Sequence, residues 1–455
     1  MKKTITILVA IISSVNVFAQ EKVKDTIKEK IPFDGMDQSW QNGSDRRTEP
    51  AALSTKYFTG SILLDGAYTH SFNNPNDNTV VGSTALARNN EMQMNSANFG
   101  GDFNYQGARA RIMTQFGMRS TLVPRNDYST YRGQYQMANA YRYLSEAYAG
   151  YHFNKWYGIN VDAGMFMSYV GLNSYYQQEN WEYQASFTSD NTPWFFNGVR
   201  VQMFPTKTLK VEAWLINGWQ SYGSFNKMPG FGGNITWCPN EAVKLLTNDY
   251  YGTDAAGLPN RMRFHSDNSL LVRYYNQPKA KGVSRMAFSS TFDIGFEKGE
   301  GVSGFNGTDT NPAQYFMSGM VYNRIWFNKN QFAWTIGGGI MTNPGRYLVL
   351  LPTGDASPLP SATNPTQTEG THPFDTSAGT QFKGWDCSTN FDWMPNQSIT
   401  FRAEFVHREA NVPYFAGSGG VTSPTGYTTT ALPAGWQPDL VKMENRIIFA
   451  VLFRI

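Results

Sequence analysis

The sequence predicts an all-β protein, a transmembrane antiparallel β-barrel of about sixteen strands with both chain termini in the periplasm. Three observations support this fold class. The chain starts with a secretory signal, it ends in a segment of alternating apolar and polar residues, and short and long polar links alternate between them. No stretch after the signal approaches the ~20 apolar residues that a spanning helix needs, so strands must do the crossing.

The N-terminus has the pattern of a cleavable secretory signal. Lys2 and Lys3 precede an apolar run over residues 5–18, and the small residue Ala19 ends a plausible cleavage site. The run is too short for a retained membrane anchor. We therefore expect a signal peptide over residues 1–19, cleavage after Ala19 and export to the outer membrane of a Gram-negative cell.

The next segment, residues 20–56, is charged, poor in β-branched residues and without two-residue alternation. Such a composition predicts a flexible periplasmic N-terminal segment. Residues 57–455 form the predicted barrel, and its first strand is expected over residues 57–72.

The links between alternating segments come in two sizes. Short links mostly carry Pro or Asn, which is turn chemistry, and they fall at 105–107, 154–155, 205–207, 239–241, 277–282, 328–330 and 395–397. Long polar links fall at 73–90, 119–139, 170–192, 220–230, 253–266, 297–311, 344–380 and 410–440. Tight periplasmic turns and long external loops are typical of outer-membrane barrels, and fifteen links predict sixteen strands.

The faces of the predicted strands differ in the same way along the chain. Ala110 and Ile112 alternate with Arg109 and Arg111, so that one face is apolar and the other charged. A soluble sandwich with one solvated face would show the same alternation in any one strand. Aromatic residues flank the short links, as in the girdle at a membrane boundary, and this favours the barrel.

The last strand, residues 441–455, shows this alternation up to the terminal carboxylate. Its apolar side chains at Ile447, Phe449 and Val451 share one face, whereas Glu444 and Arg446 lie on the other. We expect this strand to close the barrel against the first one.

Composition excludes several functional classes. The formal charge of +3 falls to +1 when Lys2 and Lys3 leave with the signal peptide, and no basic run follows, so nucleic-acid binding has no support. Two cysteines do not make a disulfide scaffold. The five histidines lack metal-ligand spacing, and 265–267, His-Ser-Asp, are chain neighbours that cannot form a triad. We expect no catalytic residues, no metal and no cofactor.

Three segments in the middle of the chain resemble the OmpL-like β-barrel porin family. They are GINVDAGMFMSYVG at 158–171, SFTSDNTPWFFNGVRVQMF at 186–204 and VEAWLINGW at 211–219, with NGVR at 197–200 and NGW at 217–219 as short recurrent signatures. The resemblance implies an outer-membrane pore of unassigned substrate, and it brings no catalytic residues.

Charged residues on the inner faces are the candidates for pore lining. On the wall we expect Arg109, Arg111, Arg142, Glu146, Asp162, Arg200, Glu212, Arg402 and Glu404. The long link at 170–192 adds Glu179, Glu182 and Asp190, and it either folds inward as a constriction or stays outside and covers the mouth. Charges of both signs in near balance predict weak selectivity.

The sequence therefore predicts a porin that passes small hydrophilic solutes or ions passively. A solute-specific channel, a surface-binding barrel and an outer-membrane hydrolase are the alternatives, in that order. The expected partners are outer-membrane lipid, the diffusing solute, the barrel-insertion machinery during biogenesis and two further copies of the chain in a homotrimer.

Overall fold

The computed structural model describes residues 30–46, 52–124, 127, 129, 132–254, 257–300, 314–343 and 382–455. The predicted signal peptide, most of the predicted link 297–311 and the whole link 344–380 lie outside these residues. The described residues form a closed barrel of sixteen strands, in which each strand pairs with its chain neighbours and the last pairs with the first. This confirms the predicted fold class and strand number.

The barrel strands, numbered in chain order, are β1 Phe58–Ser71, β2 Met92–Tyr105, β3 Ala108–Thr114, β4 Leu144–Phe153, β5 Ile159–Met167, β6 Phe195–Thr206, β7 Leu209–Ile216, β8 Gly230–Asn240, β9 Val243–Gly252, β10 Arg261–Asn276, β11 Val283–Gly299, β12 Gln314–Phe327, β13 Phe332–Asn343, β14 Phe382–Asn396, β15 Ile399–Ala410 and β16 Met443–Arg454.

Outside the barrel wall, the described residues contain only short elements. Helices span Arg119–Leu122, Met137–Tyr141 and Phe187–Asp190, 3-10 turns span Ser39–Gln41 and Gln177–Glu179, and a two-residue ladder joins Phe415–Ala416 to Leu440–Val441. None of the helices among the described residues is long and apolar enough to cross a membrane.

The seven short links connect neighbouring strands at one end of the barrel. Turn chemistry explains the tightest of them, because Gln106 and Gly107 between β2 and β3 both have positive φ, 51° and 83°. Two central residues of this kind make the turn whose twist matches that of the flanking strands. Ile455 lies at the same end, where its backbone pairs with Ile62.

At the opposite end, two strands extend further than the sequence predicts. The link expected at 253–266 is shorter, because β10 begins at Arg261, and the link expected at 297–311 begins later, because β11 ends at Gly299. His265, for example, pairs with Gly295 across this ladder. The inner face of a barrel is polar, so a polar stretch can be a strand as easily as a loop.

Burial alternates along the strands as predicted. On β15, Phe401 and Phe405 are exposed on the outer surface, whereas Arg402 and Glu404 between them are buried inside. The closing pair behaves in the same way, because Phe449 of β16 lies opposite Tyr68 of β1. The core of this protein is therefore the barrel interior, and the outer surface is the apolar one.

Residues 30–46 contact the short-turn end of the barrel, where the sequence predicts a flexible segment. Trp40 is 1% exposed, and its indole nitrogen donates to the carbonyl oxygen of Glu241 at 2.9 Å. The amide of Phe33 donates to the carbonyl of Lys207 at 2.8 Å. The segment is too short and too charged to order itself, but the barrel mouth supplies partners that its composition does not reveal.

Candidate pore and its constriction

The link 170–192 between β5 and β6 lies inside the barrel and is named the inner loop below. It reaches the opposite side of the ring. The hydroxyl of Tyr183 donates to Asp65 on β1 at 2.7 Å, and the amides of Tyr183 and Gln184 donate to Glu404 on β15 at 2.6 and 3.0 Å. Of the two placements that the sequence leaves open, the structure has the inward one.

Guanidinium groups of β12–β16 hold the backbone and acids of the inner loop. Arg402 donates to the carbonyl of Asn180 at 2.9 Å, and Arg408 pairs with Asp190 at 3.0 Å. Arg324 and Arg402 share Asp392 at 2.8 and 2.7 Å. We name these fully buried residues, Arg324, Asp392, Arg402, Glu404 and Arg408, the packed wall.

The first long loop, residues 72–91, packs on the inner loop from the long-loop end. The hydroxyl of Ser83 donates to Gln184 at 2.8 Å, and that of Thr84 donates to Asp190 at 2.6 Å. The last long loop covers it in turn, because the hydroxyl of Thr422 donates to Asp77 at 2.7 Å. Three loops therefore interlock over the packed wall.

The inner face of β2–β7 is different, because several of its charged side chains keep contact with water. We name Asp102, Arg109, Arg111, Arg200 and Lys210 the open strip. The side chains of Asp102, Arg109 and Lys210 are 38%, 21% and 23% exposed. The strip carries four cations and one anion along the same wall.

Carboxylates link the members of the open strip. Asp162 binds Arg109 at 3.3 Å and Arg200 at 2.7 Å, and Glu146 binds Arg111 at 2.8 Å. Lys210 pairs with Glu212 at 3.0 Å, and Arg111 also reaches Asp102 at 2.5 Å. Both signs are therefore fixed in place rather than free to swing across the lumen.

Arg200 is the most tightly positioned cation of the open strip. Its guanidinium carbon lies 5.0, 4.7 and 5.3 Å from the ring centres of Tyr148, Phe166 and Trp214. Cation–π attraction and the ion pair with Asp162 act together on this one group. The arginine of the NGVR signature is thus enclosed by rings, which the sequence pattern does not reveal.

The twelve predicted lining residues fall into four groups. Arg109, Arg111, Glu146, Asp162, Arg200 and Glu212 lie in the open strip or bind it, whereas Glu182, Asp190, Arg402 and Glu404 are buried under or within the inner loop. Glu179 is 40% exposed and faces the N-terminal segment, where Arg46 pairs with it at 3.5 Å. The expected position of Arg142 on the wall is wrong.

Arg142 lies in the second long loop, directly after the helix Met137–Tyr141 and before β4 begins at Leu144. Its backbone carbonyl accepts from the side-chain amide of Gln115 at 2.8 Å. The link predicted at 119–139 starts the next strand at residue 140, four residues before β4 begins at Leu144, because Arg142 and Tyr143 continue the alternation of the strand.

The residues that sequence reasoning missed belong to loops. Thr84 and the residues around Trp40 contact the inner loop or the wall beneath it, and neither region alternates. Within the described residues, no group of three or more His, Cys, Asp or Glu side chains is placed to hold a metal ion. His265 and Asp267 both face inward on β10, so Ser266 between them points to the other face.

The sequence matches the model of a known protein family. Residues 57–432 match the family described as "Putative beta-barrel porin-2, OmpL-like". The chain belongs to this family. The protein is an outer-membrane porin, in agreement with the closed barrel and the inner loop. No curated protein matches the sequence.

Solved structures of outer-membrane proteins are similar to this chain. The outer membrane channel DcaP of Acinetobacter baumannii has a TM-score of 0.50 at 9% identity, over 89% of this chain and 100% of that one. The anion-selective porin from Comamonas acidovorans and the trimer form of OmpT from Vibrio cholerae both have a TM-score of 0.48 at 8% identity, over 88% of this chain and 99% of theirs. At such identities the likeness concerns the fold alone.

Proposed function

We propose that this porin is a constricted channel in which small hydrophilic solutes or ions pass along the open strip. The observation that supports this most is the division of the interior. The inner loop is fixed to β14 and β15, on the far side of the ring from the strands that carry the loop, while charged side chains of the open strip still contact water. Diffusion then follows one side of the lumen, and no chemical step is involved.

The open strip and its partners also support weak ion selectivity. Arg109, Arg111, Arg200 and Lys210 face Asp102, Glu146, Asp162 and Glu212 within the ion pairs described above. Rings of one sign select ions, whereas paired charges leave only a modest net field along the wall. Small neutral solutes and ions of both signs should therefore pass.

Conductance in a planar bilayer tests this proposal. Purified protein that has the heat-modifiable gel mobility of a folded barrel should give small, steady current steps, with a cation-to-anion permeability ratio near unity. A correctly folded protein that carries no current would refute the proposal. A current with a strong preference for one ion would refute the weak selectivity alone.

A solute-specific channel is the second candidate. It is supported by the interlocked loops, because contacts such as those of Asp77 with Thr422 and Thr84 with Asp190 cover the long-loop end over the packed wall. A covered mouth can admit one shape of solute better than others. In the same bilayer experiment, a current that one sugar, peptide or organic anion blocks at low concentration would favour this candidate.

We infer that the protein forms homotrimers through the outer face of β2–β5. A shallow apolar groove lies there, and its small residues Ala110, Ala147, Ala149 and Ala163 would let another barrel approach closely. Light scattering of the purified protein should give three times the monomer mass. A monomer mass in a mild detergent would contradict this assignment.

We also propose that the mature chain begins at Gln20, after removal of the signal peptide behind Ala19. The charged start, apolar run and small residue at the cleavage site support this. Intact mass spectrometry of protein from outer-membrane fractions should find a chain that lacks residues 1–19. A chain that retains them would refute the cleavage.

A further inference from the structure

We propose that residues 33–46 form a resident plug in the short-turn mouth of the barrel, and that this plug positions the inner loop and sets conductance and ion preference. The proposal rests on the channel function proposed above. We call these residues the N-terminal plug. They follow the mouth from the turn before β7 to β12, through contacts with Lys207, Glu241 and Arg324.

A carboxylate anchors the middle of the N-terminal plug. Asp37 pairs with Arg285 on β11 at 2.7 Å and with Arg273 on β10 at 3.1 Å. Arg285 also donates to the hydroxyl of Ser39 at 2.8 Å. The plug thereby places a negative charge against two cations that face the lumen, and its removal would leave those cations at the mouth.

An aromatic side chain anchors the plug in the interior. Trp40 is almost fully buried in a cluster with Trp181 of the inner loop and with Trp326 and Met394 of the wall. Trp181 packs edge-on against Trp326 with ring centres 5.7 Å apart. The plug and the inner loop therefore share one hydrophobic cluster, so that a substitution in one alters the packing of the other.

Polar contacts join the plug directly to the inner loop. The amide and hydroxyl of Ser44 both donate to the carbonyl of Gln178, at 2.8 and 2.7 Å. Arg46 pairs with Glu179 at 3.5 Å, and the carbonyl of Gly43 accepts from Arg324 of the packed wall at 3.1 Å. The inner loop is thus held from the periplasmic side by a part of the chain that precedes the barrel.

A native thiol reports whether the plug is in place. Cys238 faces inward near the end of β8 and is buried, and the side-chain amide of Gln38 contacts its sulfur at 3.5 Å. Cys387 is exposed on the outer face and can be replaced by serine to leave a single thiol. Labelling of Cys238 by a polar maleimide in Cys387→Ser protein then measures docking without any measurement of current.

The decisive variant is Trp40→Ala, with Trp156→Ala as its control. Trp156 is an exposed indole in the turn between β4 and β5, at the same end of the barrel. Loss of the buried anchor should open the plug, so that Cys238 reacts about 10-fold faster or more and unit conductance rises. Trp156→Ala should match the Cys387→Ser parent in both measurements.

Asp37→Asn, with Asp34→Asn as its control, tests the effect on ion preference and serves if Trp40→Ala does not fold. Both substitutions remove one negative charge from the segment, but Asp34 is exposed. Only Asp37→Asn should shift permeability toward anions, because it leaves Arg285 and Arg273 without this carboxylate. Equal effects of the two variants would overturn the assignment.

Two further results would overturn the proposal and can be told apart. Fast labelling of Cys238 in the parent protein would show that the plug is not docked. Fast labelling in Trp40→Ala with unchanged current and ion preference would show that the plug docks without affecting passage. If no folded variant carries current while Cys238 is protected, the channel function itself fails, and the role of the plug in conductance fails with it.

Discussion

The packed wall and the open strip face the same lumen, yet their charged side chains have different surroundings. Arg324, Arg402 and Asp392 of the packed wall are fully enclosed, whereas Arg109 and Asp102 of the open strip keep contact with water. Both regions alternate charged and apolar residues along their strands. The difference shows that the inner loop, rather than the strand sequence, decides which inward charges support the structure and which can act on a solute.

The energetics of the two regions should differ accordingly. An ion pair in water contributes at most about 1 kcal/mol, because solvent screens it. A buried pair costs several kcal/mol of desolvation, but loss of one partner leaves an uncompensated charge in a dry site. Substitutions in the packed wall should thus act on stability, and those in the open strip on permeation.

The largest expected effect is that of Asp392→Ala. It leaves Arg324 and Arg402 buried without their shared carboxylate, and the free energy of unfolding should fall by roughly 3 to 5 kcal/mol. Asp102→Ala in the open strip is the control, and its cost should stay within about 1 kcal/mol. Denaturant titrations of both variants in the same micelles measure this. Equal losses would remove the distinction between the two regions.

The next largest effect is expected for Ala163→Arg, which tests which face of β5 points outward. Ala163 lies on the outer face of β5, where an arginine meets lipid in a single barrel or the neighbouring barrel in the proposed trimer; in lipid it should lower stability by roughly 2 to 4 kcal/mol near the bilayer midplane. Gln202→Arg on the inner face of β6 is the control, since Gln202 lies beside Glu212 at 2.6 Å and should accept a cation. If both variants unfold alike in liposomes, the facing of these strands is incorrect.

A smaller effect is expected for Arg109→Gln and Arg111→Gln together. Loss of two cations from the open strip should change relative ion barriers by ~0.5–1 kcal/mol, or about 2- to 5-fold in permeability ratio toward cations. Reversal potentials under a salt gradient measure the ratio. Arg446→Gln, at a buried site beside Glu444, should instead lower stability. A selectivity change in Arg446→Gln alone would show that a buried inward charge, rather than the open strip, sets ion preference.

The smallest effect concerns pH. Partial burial raises the pKa of Asp37, but hydrogen bonds from Ser39 and the charges of Arg285 and Arg273 outweigh it, so the pKa lies below the ordinary 3.8. The charge of Asp37 therefore stabilises the docked plug above this value, and the stabilisation is lost as pH falls through the lowered pKa. Conductance should rise in strongly acidic buffer. Asp37→Asn should lack this rise, and a rise of equal size in that variant would contradict the linkage.

Much of the barrel could be predicted because its signals are local. The alternation in β15, the turn residues around Gly107 and the apolar face of β16 each involve a few neighbouring residues. Strand ends were less predictable where loop and inner face are equally polar, as at Arg261 and Arg142. Neither residue type nor spacing distinguishes those two environments.

The candidate site was predictable only as a set of inward charges. Which of them are buried depends on contacts between distant parts of the chain, such as Tyr183 with Glu404 and Ser44 with Gln178. Asp162 illustrates the difference, because the sequence places it among the inward charges without showing whether it is buried. Since Asp162 is buried between Arg109 and Arg200, Asp162→Asn should weaken the fold.

The contacts of the inner loop also constrain the order of assembly. The loop comes from the first half of the chain, yet it binds Asp65 on β1, and Gln184 accepts from Arg446 on β16, which is made last. Contacts between residues so far apart in sequence form late in folding, because the intervening chain must first be arranged. The inner loop can therefore form all of these hydrogen bonds only when the first and last strands have paired. A barrel that is still open between those strands does not yet have a fixed constriction.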